Sequence, residues 1–331
     1  MSSSFAICYD RHGPPFEVLH KKKLPLAPLK PGEVRLKMLM TSVNPSDLGM
    51  ISGTYGRLKT VFPAVAGREG IGEVVELGPD VQDIQEGDWV AIPDAVGTWQ
   101  THPTALAAGL FKVPKDISLE QLTLGLINPP TAWRLLHDFV DLEPGSWVIQ
   151  NAGNSAVGQC VVSLCKHLGL KSISTVRDLA FKPMLDECGA DVVVLANSDY
   201  HKNIAEITGG EPVHLALNSV GGESAIHLVR ALSQGGMHVT FGAMTGDLVR
   251  FPTRSLIFDD IKLCGFWLDH WIRTHSREEV QFMYDKVFTF MKTDVLKVAI
   301  ESVYPLEDAL AVLAKMAAQR GKRFGKILFR C

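Results

Sequence analysis

The stretch from Trp147 to Asp178, WVIQNAGNSAVGQCVVSLCKHLGLKSISTVRD, restricts the fold more than any other part of the chain. Behind the turn signal Pro144-Gly145, apolar Trp147 to Ile149 reads as a buried strand. A loop of small and polar residues, Asn151 to Ala156, follows. Val157, Cys160, Val161, Leu164, Cys165 and Leu168 then recur at i, i+3, i+4, i+7, i+8 and i+11, one face of a helix. Gly169 stands where a C-cap glycine belongs, and Ser172 to Val176 reads as a second strand. Strand, loop, helix and strand in this order are long enough for a right-handed parallel crossover. Such a unit brings backbone N–H groups and a helix N-terminus to one point, which suits a phosphate.

The loop alone does not decide between a nucleotide site and an ordinary connection. Gly153-x4-Gly158 has P-loop spacing, but Gln159 replaces the required lysine. Asn154, Ser155 and Ala156 likewise break a GxGxxG pattern. The end of the second strand is more informative. An NAD site usually carries an acidic residue there for the ribose hydroxyls; here the residue is Arg177. A guanidinium can grip a 2′-phosphate through two parallel hydrogen bonds, so the reading favours NADPH. Asp178, one position on, is the rival that would serve a ribose.

With 331 residues there is room for one large domain or two moderate ones. A net charge of −3 argues against nucleic acid as the partner. No apolar run reaches membrane-spanning length. The six cysteines are scattered with no CxxC pair, which fits reduced, structural thiols. The N-terminal MSSSFAICYDRHGPP has no apolar core of a signal peptide. The resulting expectation is a cytoplasmic protein, with the mitochondrial matrix as the alternative if a leader has been removed.

The texture changes along the chain. Up to about Leu119 it is β, with strands expected at Phe5 to Tyr9, Val34 to Met40, Gly70 to Leu77 and Trp89 to Ile92. From about Glu120 helical and strand-like runs alternate, with strands at Val192 to Leu195, Val213 to Asn218, Met237 to Phe241 and Ile261 to Gly265. That alternation predicts a parallel sheet covered by helices on both faces. The tail is helical and closes with a short strand at Lys326 to Phe329. A first domain at 1–121 plus 270–331 with a nucleotide domain inserted at 122–269 is the resulting division. The expected cleft is lined by Asn218 to Gly222, Phe241 to Met244 and Gly265 to Leu268.

This order, with GREGIGEVVELG, EGDWV and the closing GKILF, resembles the medium-chain dehydrogenase/reductase superfamily from end to end. The implied fold is α/β: a GroES-like β-rich catalytic domain with an inserted Rossmann domain, a doubly wound parallel sheet. Asn44 and Arg68 stand at the positions matching the zinc-binding cysteine and histidine, and neither suits zinc. The cysteines of a structural zinc lobe are absent between Pro93 and Phe111, so no metal is expected.

Within the zinc-free branch, VNPSDLGMISGTYG, GTW, NPPTAWRLL, QNAGNSAVGQ, STVRD and GFWL are similar to the mitochondrial-type trans-2-enoyl-thioester reductases. The resemblance implies reduction of enoyl-CoA or enoyl-acyl-carrier-protein by NADPH, as in fatty acid synthesis, and a homodimer. It makes Tyr55 the acid that protonates Cα, a role that suits a phenol. It places Asn128 beside the nicotinamide, with a helix cap before Thr131 as its other reading. Asn154, Ser155, Ala156 and Val157 would meet the pyrophosphate, and Arg177, Asp178 and Leu179 the 2′-phosphate end. Phe241, Gly242, Ala243, Met244, Phe266, Trp267 and Leu268 would line the cofactor. Lys326 is carried over too, though a solvated surface lysine is its plainer reading. Trp99 and Trp267 are candidate walls of an acyl pocket, against an ordinary place in the core.

Two departures stand out. Ala156 occupies a position usually held by glycine, at a cost of about 1 kcal/mol if that position needs a positive φ. Pro130 replaces a small residue. The competing readings are a quinone or enone reductase on the same scaffold and a non-catalytic cofactor-binding protein.

Overall fold

The structure, a computed structural model, describes residues 4–56, 59–92, 96–197, 199–318 and 323–331. The division into two compact units falls at Met1–Leu126 with Ala299–Cys331 for the first and Ile127–Val298 for the second. This differs from the 122–269 read from sequence mainly at the second boundary. The helices Leu268–Thr274 and Arg277–Lys292 belong to the inserted unit because their aromatic residues pack there. Phe290 lies 5.3 Å from the Trp133 ring and 5.0 Å from His167, and the Arg134 guanidinium sits 4.4 Å from the Trp271 ring.

In the first unit, β1 (Phe5–Tyr9) is buried along its whole length. It pairs antiparallel with β2 (His20–Lys23) and β4 (Ala64–Val65). A second sheet centres on the long β3 (Glu33–Ser42), which pairs antiparallel with β5 (Gly70–Leu77). Strands β6 (Trp89–Ala91), β7 (Thr104–Leu106) and β8 (Phe111–Lys112) extend it. The chain returns to this sheet at its end. There β15 (Ile300–Pro305) pairs parallel with β16 (Lys326–Arg330), and β16 pairs antiparallel with Met40 to Ser42 of β3. One apolar core gathers Ile7, Ile51, Trp99 and Phe329, another Leu36, Met38, Val90 and Leu110.

The second unit is the expected crossover repeated. Its sheet holds β9 (Trp147–Gln150), β10 (Lys171–Val176), β11 (Val192–Leu195), β12 (Val213–Asn218), β13 (Met237–Thr240) and β14 (Lys262–Gly265). All pairings are parallel, in the order β11-β10-β9-β12-β13-β14. The order reverses between β9 and β12, and the loops beyond the carboxyl ends of these strands are where such sheets take a dinucleotide. The helix Ala156–Leu168 ends in Gly169 at φ 70, as the sequence pattern requires. Among the described residues, no helix is long and apolar enough to cross a membrane.

Candidate active site

The nucleotide loop is held by close approach. A Cβ on Gly158 would lie 2.3 Å from the Gly153 carbonyl oxygen, and one on Gly153 would lie 2.6 Å from Cβ of Ser174. The helix, the loop and β10 therefore meet only if both positions are glycine. Polar side chains lock the arrangement. Gln150 Nε2 donates to the Gly158 carbonyl at 2.9 Å and to Ser174 Oγ at 3.0 Å, and Gln159 Nε2 donates to the Asn154 carbonyl at 3.0 Å. Ser155 is the N-cap, its Oγ accepting from Gly158 N at 3.1 Å. Asn154, Ser155, Ala156 and Val157 form the loop end and helix start and are half-buried, at the place where an anion would meet backbone N–H groups.

Ala156 needs no positive φ, because it is the first residue of the helix. The left-handed residue is Ala152, at φ 48, so the roughly 1 kcal/mol cost foreseen for Ala156 falls four positions earlier. Arg177 follows β10 directly and is exposed. Asp178 is already engaged: its Oδ1 accepts from Ala180 N at 2.9 Å and starts the turn Leu179–Phe181. That contact weakens its claim on a ribose. Leu179 is exposed.

A ladder that the sequence reading missed runs across the strand ends. Asn151 Nδ2 donates to Asn218 Oδ1 at 2.7 Å, and Asn218 Nδ2 donates to Thr240 Oγ1 at 3.1 Å. Asn151 Oδ1 accepts from Ser219 N at 2.8 Å. The ladder ties β9, β12 and β13 together at the switch point. Beyond it Phe241 and Gly242 are half-buried, and Ala243 and Met244 are exposed. Gly242 lies against Ser219, where a Cβ would come within 2.9 Å of the carbonyl oxygen. Phe266 is half-buried and donates its N–H to Thr240. Trp267 caps a helix under the Arg273 guanidinium, and Leu268 is buried as that helix begins. Asn128 is buried but is not the cap of its helix; Ile127 holds that position and Thr131 Oγ1 bonds back to the Ile127 carbonyl.

In the first unit Tyr55 is placed by the helix Pro45–Ser52. That helix ends at Gly53 in the left-handed region, and Thr54 and Tyr55 both donate their N–H to the Gly49 carbonyl. Gly49 lets the phenol lie close, since a Cβ there would sit 3.0 Å from Tyr55 Cβ. The ring is half-buried, with the Arg68 guanidinium 4.6 Å from its centre.

Beneath it lies a buried charged cluster. Glu69 accepts from Ser42 Oγ at 2.6 Å and from Asn44 Nδ2 at 2.7 Å. Asp47 Oδ2 accepts from Asn44 N at 2.6 Å, and burial pushes its carboxyl up to about 7. Lys326 is no solvated surface lysine. It donates to the Val43 carbonyl at 2.6 Å and also to Asn44 Oδ1. Burial draws its ammonium down, and the Glu69 and Asp47 carboxylates pull the other way. Trp99 is fully buried, donating to the Ser42 carbonyl and packing edge-on to Phe329, which is its place in the core. Among the described residues, no group of three or more His, Cys, Asp and Glu could hold a metal ion.

Two family descriptions match the chain: an alcohol dehydrogenase GroES-like domain over residues 30–115 and a zinc-binding dehydrogenase over residues 156–285. The enoyl-[acyl-carrier-protein] reductase of mitochondria from Rattus norvegicus is 41% identical over 92% of this chain and 83% of its own length. The mitochondrial 2-enoyl thioester reductase Etr1p/Etr2p heterodimer from Candida tropicalis superposes with TM-score 0.89 at 29% identity, covering 100% of both chains. A complex of Etr1p with NADP and crotonyl-CoA gives the same figures. A mycobacterial quinone oxidoreductase superposes with TM-score 0.86 at 28% identity, covering 99% of this chain and 100% of its own.

Proposed function

The chain belongs to the enoyl-thioester reductases of the medium-chain dehydrogenase/reductase superfamily, and on that premise we propose Tyr55 as the proton donor of its reaction. The enzyme reduces the 2,3 double bond of trans-2-enoyl thioesters with NADPH. The Gly153–Gly158 contact shapes a cradle beside the helix start that fits a pyrophosphate, and Arg177 is free to reach a 2′-phosphate. NADPH, when bound, supplies the hydride that goes to Cβ. Asn154, Ser155, Ala156 and Val157 would hold the pyrophosphate through the loop and helix start, and Asn128, Phe241 to Met244 and Phe266 to Leu268 would line the rest of the cofactor. Tyr55 donates a hydrogen bond as negative charge builds on the thioester oxygen, and gives its proton to Cα.

The observation that carries the Tyr55 assignment is its placement: a half-buried phenol covered by Arg68, on a turn closed by backbone bonds from Thr54 and Tyr55 to Gly49. The quinone reductase reading has the mycobacterial structure in its favour, at lower identity than the reductase relatives. Turnover of crotonyl-CoA and of a quinone, each with NADPH and NADH, separates the two. Rapid crotonyl-CoA reduction with NADPH is expected; quinone turnover without it would overturn the assignment.

The carrier of the acyl group, CoA or acyl carrier protein, is read by comparing the two thioesters of one acyl chain. The names of the relatives favour mitochondria over the cytoplasm, and fractionation of cells expressing the protein tests this. A homodimer is proposed through β14, at the end of its sheet. The neighbouring helix Thr253–Phe258 exposes Ile257 and Phe258, which an interface would cover. Light scattering on the purified protein reads the mass.

A further inference from the structure

Arg68 stands where the zinc-using members have a histidine, and its permanent charge forbids that role. It is nonetheless buried, as is the next residue, Glu69. A buried guanidinium persists only where opposite charge and ring faces compensate it. Asp47 contributes opposite charge in its ionised form: burial pushes its carboxyl up to about 7, and the Arg68 guanidinium pulls it the other way. Tyr55 supplies the ring, its centre 4.6 Å from the guanidinium carbon. Asp47 and Glu69 are themselves fixed by Asn44 and Ser42, and the guanidinium lies over the phenol ring.

The face of a phenol is weakly negative, and the ring becomes far more so when its proton leaves. A cation over that face therefore binds the phenolate more strongly than the phenol. An interaction that strengthens as the reaction proceeds lowers the barrier rather than the ground state. We propose that Arg68 is a positioning residue for the reduction. It holds the Tyr55 ring by a cation–π contact and stabilises the charge left on the ring when Cα takes the proton. This role rests on the assignment of Tyr55 as donor. In the step itself the Tyr55 O–H bond breaks with its electron pair kept by oxygen, the Cα–H bond forms, and water later returns a proton to the phenolate.

The test compares Arg68→Met, Arg68→Lys, Tyr55→Phe and the double variant Tyr55→Phe/Arg68→Met, with crotonyl-CoA and NADPH. Arg68→Met is expected to lower kcat about tenfold, the size of a desolvated cation–π contact, with the KM for NADPH unchanged. Arg68→Lys keeps the charge and should recover part of the loss. In the Tyr55→Phe background, Arg68→Met should change the residual rate less than about twofold, because the ionising hydroxyl is gone. If Arg68→Met does not fold, Arg68→Gln against Arg68→Lys makes the same comparison, with the lysine variant expected to be the faster. Wild-type kcat in Arg68→Met, an equal loss in both backgrounds, or equal rates for the glutamine and lysine variants would overturn the role of Arg68 alone. A full rate in Tyr55→Phe would remove the donor assignment and the Arg68 role with it.

Discussion

The two units solve opposite electrostatic problems. The second must receive a cofactor that brings its own negative charge, and its site groups are neutral: buried Gln150, Asn151, Ser174 and Asn218, with half-buried Thr240. Its cation, Arg177, stands outside at a strand end. The first unit buries Asp47, Glu69 and Arg68, with half-buried Lys326 bonded to Asn44, at the helix that presents Tyr55. Neutral dipoles cost little to bury once paired, whereas buried charges hold only as a complete set. A site that waits for charge can be built from amides; a site that must generate and stabilise charge on a phenol is built with charges in place.

The contrast breaks first at Lys326. Lys326→Met strips the donor from Asn44 and Val43 and leaves the Asp47 and Glu69 carboxylates short of a cation, for an expected loss of about 3–5 kcal/mol in unfolding stability. Asn151→Ala in the amide ladder should cost less, and denaturant unfolding of both variants ranks them. A larger loss at Asn151 would reverse the comparison.

Protonation sharpens it. Burial holds the His238 imidazole of β13 down to about 4, and its ring nitrogens have no hydrogen-bond partner. Its folded value lies below the unfolded one, so its contribution is present above about pH 6.5 and is lost as the pH falls through 4. Asp47 has the opposite sign: its folded value, about 7, lies above the unfolded one, so the stability it carries is lost as the pH rises from about 4 to 7. His238→Leu should therefore flatten the acid loss of stability by up to about 3 kcal/mol, measured as thermal unfolding between pH 4 and 7. An unchanged acid slope would contradict this. The smallest expected effect is at the exposed cation: Arg177→Ala should raise the KM for NADPH about tenfold and leave that for NADH nearly unchanged. Equal changes for both cofactors would remove the 2′-phosphate role.

Much of the second unit was legible because its signals are local. The period of Val157 to Leu168 and the stop at Gly169 place a helix without reference to anything distant, and Arg177 follows from where the next strand ends. The Asn151–Asn218–Thr240 ladder was not legible, since each residue looks like an ordinary strand-end polar group until the strand order makes them neighbours. Ala152 was missed for a related reason: the positive φ belongs to the turn geometry, and nothing about alanine announces it. In the first unit the motif around Tyr55 was readable as a resemblance, but the cluster beneath it joins residues from three distant parts of the chain. Lys326 is the plain case. A lysine beginning a short terminal strand reads as solvated, and only the pairing of β16 with β3 carries its ammonium to Asn44. Residues 270–292, read from sequence as part of the first domain, pack in the inserted unit, because helical periodicity does not say which core will accept the buried face.

The most direct measurement is steady-state reduction of crotonyl-CoA by Tyr55→Phe with NADPH. A general acid typically contributes a hundredfold or more, so kcat should fall by roughly 100-fold with the affinity for NADPH preserved. A variant that reduces crotonyl-CoA at the rate of the parent enzyme would show that the proton comes from elsewhere.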